Sequence, residues 1–400
     1  EDVFAFQLVD FDSDGREEAL LVGLEHCYLL DYDNGGFQPQ LQTLASYDRL
    51  YSIPNPSAVN EHKVAFDLNG DGKYELVLPS WEGARIYRSN QGKFQLAATL
   101  KSISKSTDSR SVNLLVGSGS PGMLINLPEV AVHDVNTDQI ADVLLSDRGN
   151  LQIWFQTGDL QFSSAASQTL ELRQEFTRNL RFVTSELGDI NNDKLIDYCR
   201  AITQGDGDQF RTIVEVYLGN IASGFSQRPS RRLVLNDYAV GLALCDLNGD
   251  GAQSIVVATV PVSTTSMVKA FLVQRMSVEL SVYHSVNGVI AEQPASVKKI
   301  SCGIDLFGTR MPARFIGCMK GDLDGDKLSD LAIINDDDEL QVFKGEKDPE
   351  FSDKAIAVRE AAGVRSIEAR DLNGDGKDDL IMLGYDENGR DVVHLLWSNE

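Results

Sequence analysis

Asp67-Leu-Asn-Gly-Asp-Gly-Lys-Tyr-Glu75, followed at once by the apolar run LVLPS, decides how this chain folds. The same nine-residue pattern recurs as DFDSDGREE from Asp10, DVNTDQIAD from Asp134 and DINNDKLID from Asp189. Further copies are DLNGDGAQS from Asp246, DLDGDKLSD from Asp322 and DLNGDGKDD from Asp371. Oxygen-bearing side chains fall at positions 1, 3 and 5, and at position 9 in six copies as a carboxylate. Alternate residues of a tight loop can turn inward together, and a hard cation such as Ca²⁺ takes about 6–8 oxygen ligands. The expected ligands are Asp10, Asp12, Asp14 and Glu18; Asp67, Asn69, Asp71 and Glu75; Asp134, Asn136, Asp138 and Asp142. They continue as Asp189, Asn191, Asp193 and Asp197; Asp246, Asn248 and Asp250; Asp322, Asp324, Asp326 and Asp330; and Asp371, Asn373, Asp375 and Asp379. A backbone carbonyl at position 7 completes each set. Glycine at position 6 permits the sharp turn in four copies, while Gln139, Lys194 and Lys327 replace it in three. Ser254 takes the place of the last carboxylate in the fifth copy, so that site is expected to bind most weakly.

An EF-hand loop opens in the same way but needs a bidentate Glu at position 12 and a helix on each side. Position 12 is here Leu21, Leu78, Leu145, Arg200, Val257, Ile333 and Met382, none of them a carboxylate. Short runs such as ALLVG, VLLSD, IVVAT and LAIIN follow the loops, and their length and branched side chains suit buried strands. Aspartate, asparagine and glycine also build plain surface turns. Seven copies in one fixed relation to a following strand argue against that simpler reading.

The first aspartates lie 57, 67, 55, 57, 76 and 49 residues apart, a period that marks a repeat architecture. One strand precedes each loop, as in HKVAFD and PEVAVHD, and a second follows it. A third strand carries an aromatic residue in most copies (Tyr28, Tyr87, Trp154, Tyr217, Phe343, Trp397). A more polar fourth strand, such as FQLAATL or RRLVLN, often closes the unit. The expectation is an all-β chain: a single seven-bladed β-propeller over 1–400, with four-stranded antiparallel blades and calcium loops between strands 1 and 2. The repeats start near residues 3, 62, 129, 181, 239, 313 and 364. Blade seven has no segment left for a fourth strand; either it has three, or a piece outside these residues completes it.

These residues resemble the FG-GAP/VCBS repeat, in which D-x-[DN]-x-[DN]-G-x-x-D precedes an apolar strand. The resemblance covers nearly the whole chain and implies the seven-bladed, integrin-α-like propeller. A Phe-Gly…Gly-Ala-Pro signature is missing, so the likeness is nearer the bacterial VCBS type. It implies up to seven structural Ca²⁺ and a ligand face on the side away from the metal. That face would hold the turns Trp81–Gly83, Asp147–Gly149, Gln204–Asp208, Asp336–Asp338 and Asp386–Asn388, with Trp81 as an anchor or as a packed residue.

The net charge is −24, which disfavours nucleic acid and anionic membrane as partners, and seven bound Ca²⁺ would bring it to about −10. No apolar stretch is long enough for a transmembrane helix. A chain that begins at Glu1 is compatible with a signal-cleaved or trimmed product. Weak extracellular-type calcium sites suit an extracellular, cell-surface or periplasmic location. Five cysteines are too few for a disulfide framework; Cys302 and Cys318 bracket an insertion and can pair, while Cys199 and Cys245 read as buried hydrophobes. The one N-x-[ST] sequence, Asn55-Pro56-Ser57, is blocked by proline.

Gly117–Gly122 reads literally as GxGxxG, but Pro121 denies it the helix a dinucleotide site needs. Lys320-Gly321-Asp322 spells KGD, yet its Asp belongs to a metal loop. The five histidines show no ligand spacing, and no Ser/His/Asp grouping can be nominated from sequence. The segment Met267–Val286 is apolar enough for a protruding hairpin or for ordinary blade strands. The leading expectation is a non-enzymatic calcium-binding module for protein–protein or cell-surface contact, adhesion included. The alternative is a carbohydrate-binding lectin or polysaccharide-active enzyme on the same scaffold.

Overall fold

The computed structural model describes all residues except 1–2, 34–35, 49–59, 81, 91–92, 103–127, 178, 207–208, 263–274, 287, 304–316, 336, 348–349, 387–388 and 399–400. The chain is all-β: seven successive antiparallel sheets form the blades of a β-propeller. Each blade runs in chain order from its first strand outward. In blade 2 the strands are Ala65–Phe66, Glu75–Ser80, Gly83–Asn90 and Lys93–Lys101; in blade 5 they are Tyr238–Cys245, Ser254–Val260, Arg275–Tyr283 and Ser296–Gly303. Blades 1, 3, 4 and 6 repeat this order, and a short strand, Asn60–Glu61, adds parallel to the first strand of blade 1. Blade 7 has three strands among the described residues: Val364–Arg370, Asp379–Tyr385 and Asp391–Leu396. One four-residue helix, Gln174–Thr177, is the described exception to the all-strand pattern.

Burial grades across a blade as the hydrophobicity of the strands requires. The second strand of blade 5 is buried at every residue, whereas the fourth strand of blade 2 buries one residue of nine. A strand covered on both faces must be apolar throughout, and an outermost strand need not be.

The chain divides into two compact units. Unit 1 comprises residues 1–171 with 220–224, and unit 2 comprises residues 172–219 with 225–400. Within unit 1, Leu20, Val22, Leu76 and Leu78 build one core between blades 1 and 2, and Leu68, Ile86, Leu145 and Trp154 build the next. Within unit 2, Val214, Val216, Ile255 and Val257 join blades 4 and 5. Val278, Leu280, Leu331 and Ile333 join blades 5 and 6, and Ile334, Val342, Ile367 and Leu380 join blades 6 and 7. Alternate residues of one strand therefore serve two different cores, as the period of two demands.

Several sequence expectations fall on residues outside the described set: Trp81, the 117–122 glycine segment, Asn55–Ser57, Asp336 and the side chain of Cys302, with it the pairing to Cys318. Of the 267–286 segment, Arg275–Tyr283 is an ordinary third strand of blade 5. Cys27, Cys199 and Cys245 are buried free thiols. Among the described residues no helix is long and apolar enough to cross a membrane.

Candidate metal centre

Each aspartate loop joins the first and second strands of its blade. Two residues per loop adopt the left-handed conformation. Position 4 has φ between 58° and 83° (Ser13, Gly70, Thr137, Asn192, Gly249, Gly325, Gly374). Position 6 has φ between 67° and 88°, and here Gln139, Lys194 and Lys327 follow the same path as the four glycines. A side chain in this conformation costs about 1–2 kcal/mol, so the four loops with a non-glycine residue at position 4 or 6 are held in shape against local strain.

That shape aims backbone amides at the carboxylates. The position-1 carboxylate accepts from the amide of position 6 at 2.7–3.0 Å in all seven loops. The position-3 oxygen accepts from the amide of position 5 at 2.9–3.2 Å. Position 5 accepts from the amide of position 7 at 2.8–2.9 Å. These side chains turn into the loop, as the sequence pattern requires, and remain half-buried or exposed.

Position 9 is different. Glu18, Glu75, Asp142, Asp197, Asp330 and Asp379 are all buried. Each accepts the amide of position 2 in its own loop at 2.7–3.1 Å. In four blades the second oxygen also accepts an amide just beyond the third strand, from Gln156, Gly219, Gly345 or Ser398 at 2.6–2.9 Å. This residue therefore clips the loop to the blade as well as facing it. Sequence reading identified the acid but not the clip. Burial raises Asp142 and Asp197 to about 6 and pushes Asp330, Glu18 and Glu75 upward.

Two loops bring three carboxylates together with oxygens within 4.8 Å of one another: Asp10, Asp12 and Glu18 in the first, and Asp322, Asp324 and Asp330 in the sixth. In the first loop Glu18 Oε2 holds the Phe11 amide at 2.7 Å, while its buried Oε1 has no hydrogen-bond partner. A buried anionic oxygen without a partner is costly unless a cation meets it. The donor set is all oxygen, as Ca²⁺ requires. The other five loops carry Asn in place of Asp at position 3, and so have one carboxylate fewer, or two fewer in the fifth, where Ser254 stands at position 9.

The fifth loop departs as its sequence indicates, and the structure shows what replaces the carboxylate. Ser254 Oγ lies 2.7 Å from His284 Nδ1, and His284 Nε2 lies 2.7 Å from Glu350 Oε1, with Ser296 bonded to the other oxygen of Glu350. This is the Ser/His/acid grouping that sequence alone did not reveal, for its members are 30 and 66 residues apart. Ser254 and Glu350 are 2% and 4% exposed, so both ends of the network are buried.

Within unit 2 neighbouring loops also touch. The carbonyl of Asp189 accepts from Gln253, that of Asp250 from the Asn192 side chain, and that of Asp322 from Asp378. The loops of blades 4–5 and 6–7 thus share one side of the blades. Lys320 of the KGD tripeptide is held by Glu186 at 2.7 Å. On the turns joining strands 2 and 3, Asp386 pairs with Arg390.

The FG-GAP-like repeat model matches residues 134–199 and 322–382, each match starting at position 1 of an aspartate loop. The chain is a β-propeller, and these two stretches of it match the FG-GAP-like repeat. A solved structure of an Agrocybe aegerita lectin, described as recognising non-reducing terminal N-acetylglucosamine, is similar over 96% of this chain and 90% of that one. Its identity is 14% and its TM-score 0.52. BBS1N in complex with ARL6DN matches at 10% identity and TM-score 0.45, over 99% of this chain and 92% of that one. The Dos1 propeller matches at 8% and 0.44, over 100% and 82%. At 14% identity the likeness to the lectin is one of fold alone. No curated protein matches the chain.

Proposed function

We propose that this chain is a calcium-stabilised propeller that acts as a non-enzymatic interaction module outside the cell or at its surface, with the metal in a structural role. The observation that carries the calcium reading is the buried Glu18 Oε1, unpartnered beside Asp10 and Asp12. Asp10, Asp12, Asp14 and Glu18 would hold the ion in the first loop, together with the carbonyl of Arg16, and the equivalent residues would do so in the others. Bound calcium would supply charge neutralisation, drawing together carboxylates that otherwise repel one another. The loops already hold their shape through backbone hydrogen bonds, which supports an ion that stiffens a formed blade rather than one that creates it. The single-domain organisation over 1–400 belongs to the same proposal.

An interaction role is supported by the β-propeller fold. The partner would be another protein or a cell-surface ligand. The experiment is a calcium titration of EDTA-stripped protein, followed by capture from the native organism's envelope with immobilised protein, with and without calcium. Calcium-dependent capture of a defined protein supports the module. Binding to a glycan array would move the reading to a lectin, and turnover of an acidic polysaccharide would move it to an enzyme.

A further inference from the structure

The seven loops share one backbone path but differ in charge at position 3. Five carry Asn, while the first and sixth carry Asp12 and Asp324. In loops two to five the Asn amide donates to the position-5 carboxylate, at 3.4 Å from Asn69 and 2.9 Å from Asn136, Asn191 and Asn248. That bond ties positions 3 and 5 together. An ionised aspartate has no proton to donate, so it cannot make this bond.

In the sixth loop the donor comes from another strand. The Lys344 ammonium pairs with Asp324 Oδ2 and lies 2.9 Å from Asp326 Oδ2. Strand register puts it there. Leu331 pairs with Phe343, so Lys344 stands opposite Asp330, the position-9 carboxylate, and directly opposed residues project to the same side of a sheet. The same register position holds Asp31 in blade 1, Phe155 in blade 3 and Leu218 in blade 4. It holds Arg88 in blade 2, whose guanidinium lies 3.8 Å from both Asp71 and Glu75. The first loop thus has carboxylates at the same four positions as the sixth (1, 3, 5 and 9, with Glu18 in place of Asp at the last), but an acid rather than a lysine at this place.

We propose that Lys344 is a tethered cation: it takes up charge in the sixth loop that a divalent ion would otherwise neutralise. Resting on the calcium reading above, the inference is that this loop keeps its shape without metal and binds Ca²⁺ more weakly than the first loop. To bind, an ion must displace an ammonium already paired with two carboxylates and then sit beside it.

The test compares wild type with Lys344→Met and Lys344→Arg, using calcium chloride as the probe. Ion uptake is measured by calorimetry and equilibrium dialysis, and thermal midpoints are read in EDTA and in calcium. Lys344→Met is expected to gain about tenfold in affinity at one site, adding an ion at submillimolar calcium. It should also melt earlier than wild type in EDTA. Lys344→Arg should behave as wild type. Adding Asp324→Asn to Lys344→Met rebuilds the bridge used by the other loops and should restore the EDTA midpoint. This double variant carries the test if the single one folds poorly. Wild-type uptake combined with unchanged uptake and midpoint in Lys344→Met overturns the inference alone. Loss of an ion in Lys344→Met also overturns it. Wild-type protein that takes up no calcium defeats the calcium reading, and this inference with it.

Discussion

Glu18→Gln separates the two roles of a position-9 carboxylate. In the native loop one oxygen of Glu18 holds the Phe11 amide and the other meets no donor, in a side chain that is 1% exposed. Burial, and then the charges of Asp12 and Asp14, make its ionised form unfavourable in the metal-free protein. Glutamine can keep the bond to Phe11 through its own oxygen. Its amide then faces Asp10 and Asp12 as a donor, and the buried charge is gone. In EDTA the variant should therefore be as stable as wild type or more so. In calcium the order should reverse. A site with a dissociation constant of about 10⁻⁴–10⁻³ M, at about 5 mM ion, stabilises the fold by about 1–2.3 kcal/mol through mass action. Losing one carboxylate ligand forfeits most of that. The assay is urea unfolding of both proteins at pH 7.5, in calcium and in EDTA, with the slope checked for constancy. A change of equal sign and size in the two buffers would refute the assignment of Glu18 as a ligand.

Four further outcomes follow from other residues of the fold. Arg200 and Glu215 form a fully buried pair at 2.7 Å, with Tyr217 bonded to both and Arg232 bidentate on the second oxygen of Glu215 at 2.6 and 2.8 Å. Breaking such a pair costs about 3–5 kcal/mol, so Arg200→Met should cost about 3, since Arg232 remains. Arg200→Met with Glu215→Met should recover most of it in a double-mutant cycle by urea unfolding. The pH dependence of this cluster has a defined sign. Burial alone would raise Glu215, but the hydrogen bonds and charge of Arg200, with Tyr217 and Arg232, outweigh it and hold the carboxyl below its ordinary value. A depressed carboxyl contributes stability above its unfolded value of about 4.5 that is lost as pH falls through the folded value. The stability gap between wild type and Glu215→Gln should therefore shrink in urea titrations taken below pH about 4.5. Gly83→Ala should cost about 2–4 kcal/mol, because φ is +134° and a Cβ would lie 2.0 Å from the Leu100 carbonyl oxygen. Gly72→Ala, at φ +78° in open space, should cost about 1 kcal/mol, both glycine variants being read by urea unfolding against wild type.

What the sequence disclosed and what it concealed divide along contact range. The aspartate loops, the apolar strands behind them and the polar outer strands are local patterns, and they appear where the repeats place them, Trp397 falling one residue past its strand. The helix at Gln174–Thr177 is too short to carry a period. Arg200 registered only as a residue unable to serve at position 12. Its signal was a charge in the middle of a buried strand, and the register that sets Arg200 opposite Glu215 and Glu215 opposite Arg232 is what gives it partners.

The same register makes sense of the imperfect loop copies. Ser254 lacks a carboxylate where His284, its neighbour across the strand pair, brings Glu350. Asp324 lacks an amide where Lys344, at the corresponding place, brings an ammonium. In both blades a change inside the loop is answered from the end of the third strand, some 20–30 residues away. A loop of this kind is therefore a property of two strands, and its nine residues alone understate its charge and its hydrogen bonding. It follows that transplanting the sixth-loop sequence into blade 3, where Phe155 occupies the facing position, should leave Asp324 and Asp326 without their counter-charge. The transplanted loop should then depend on calcium more strongly than it does in its own blade.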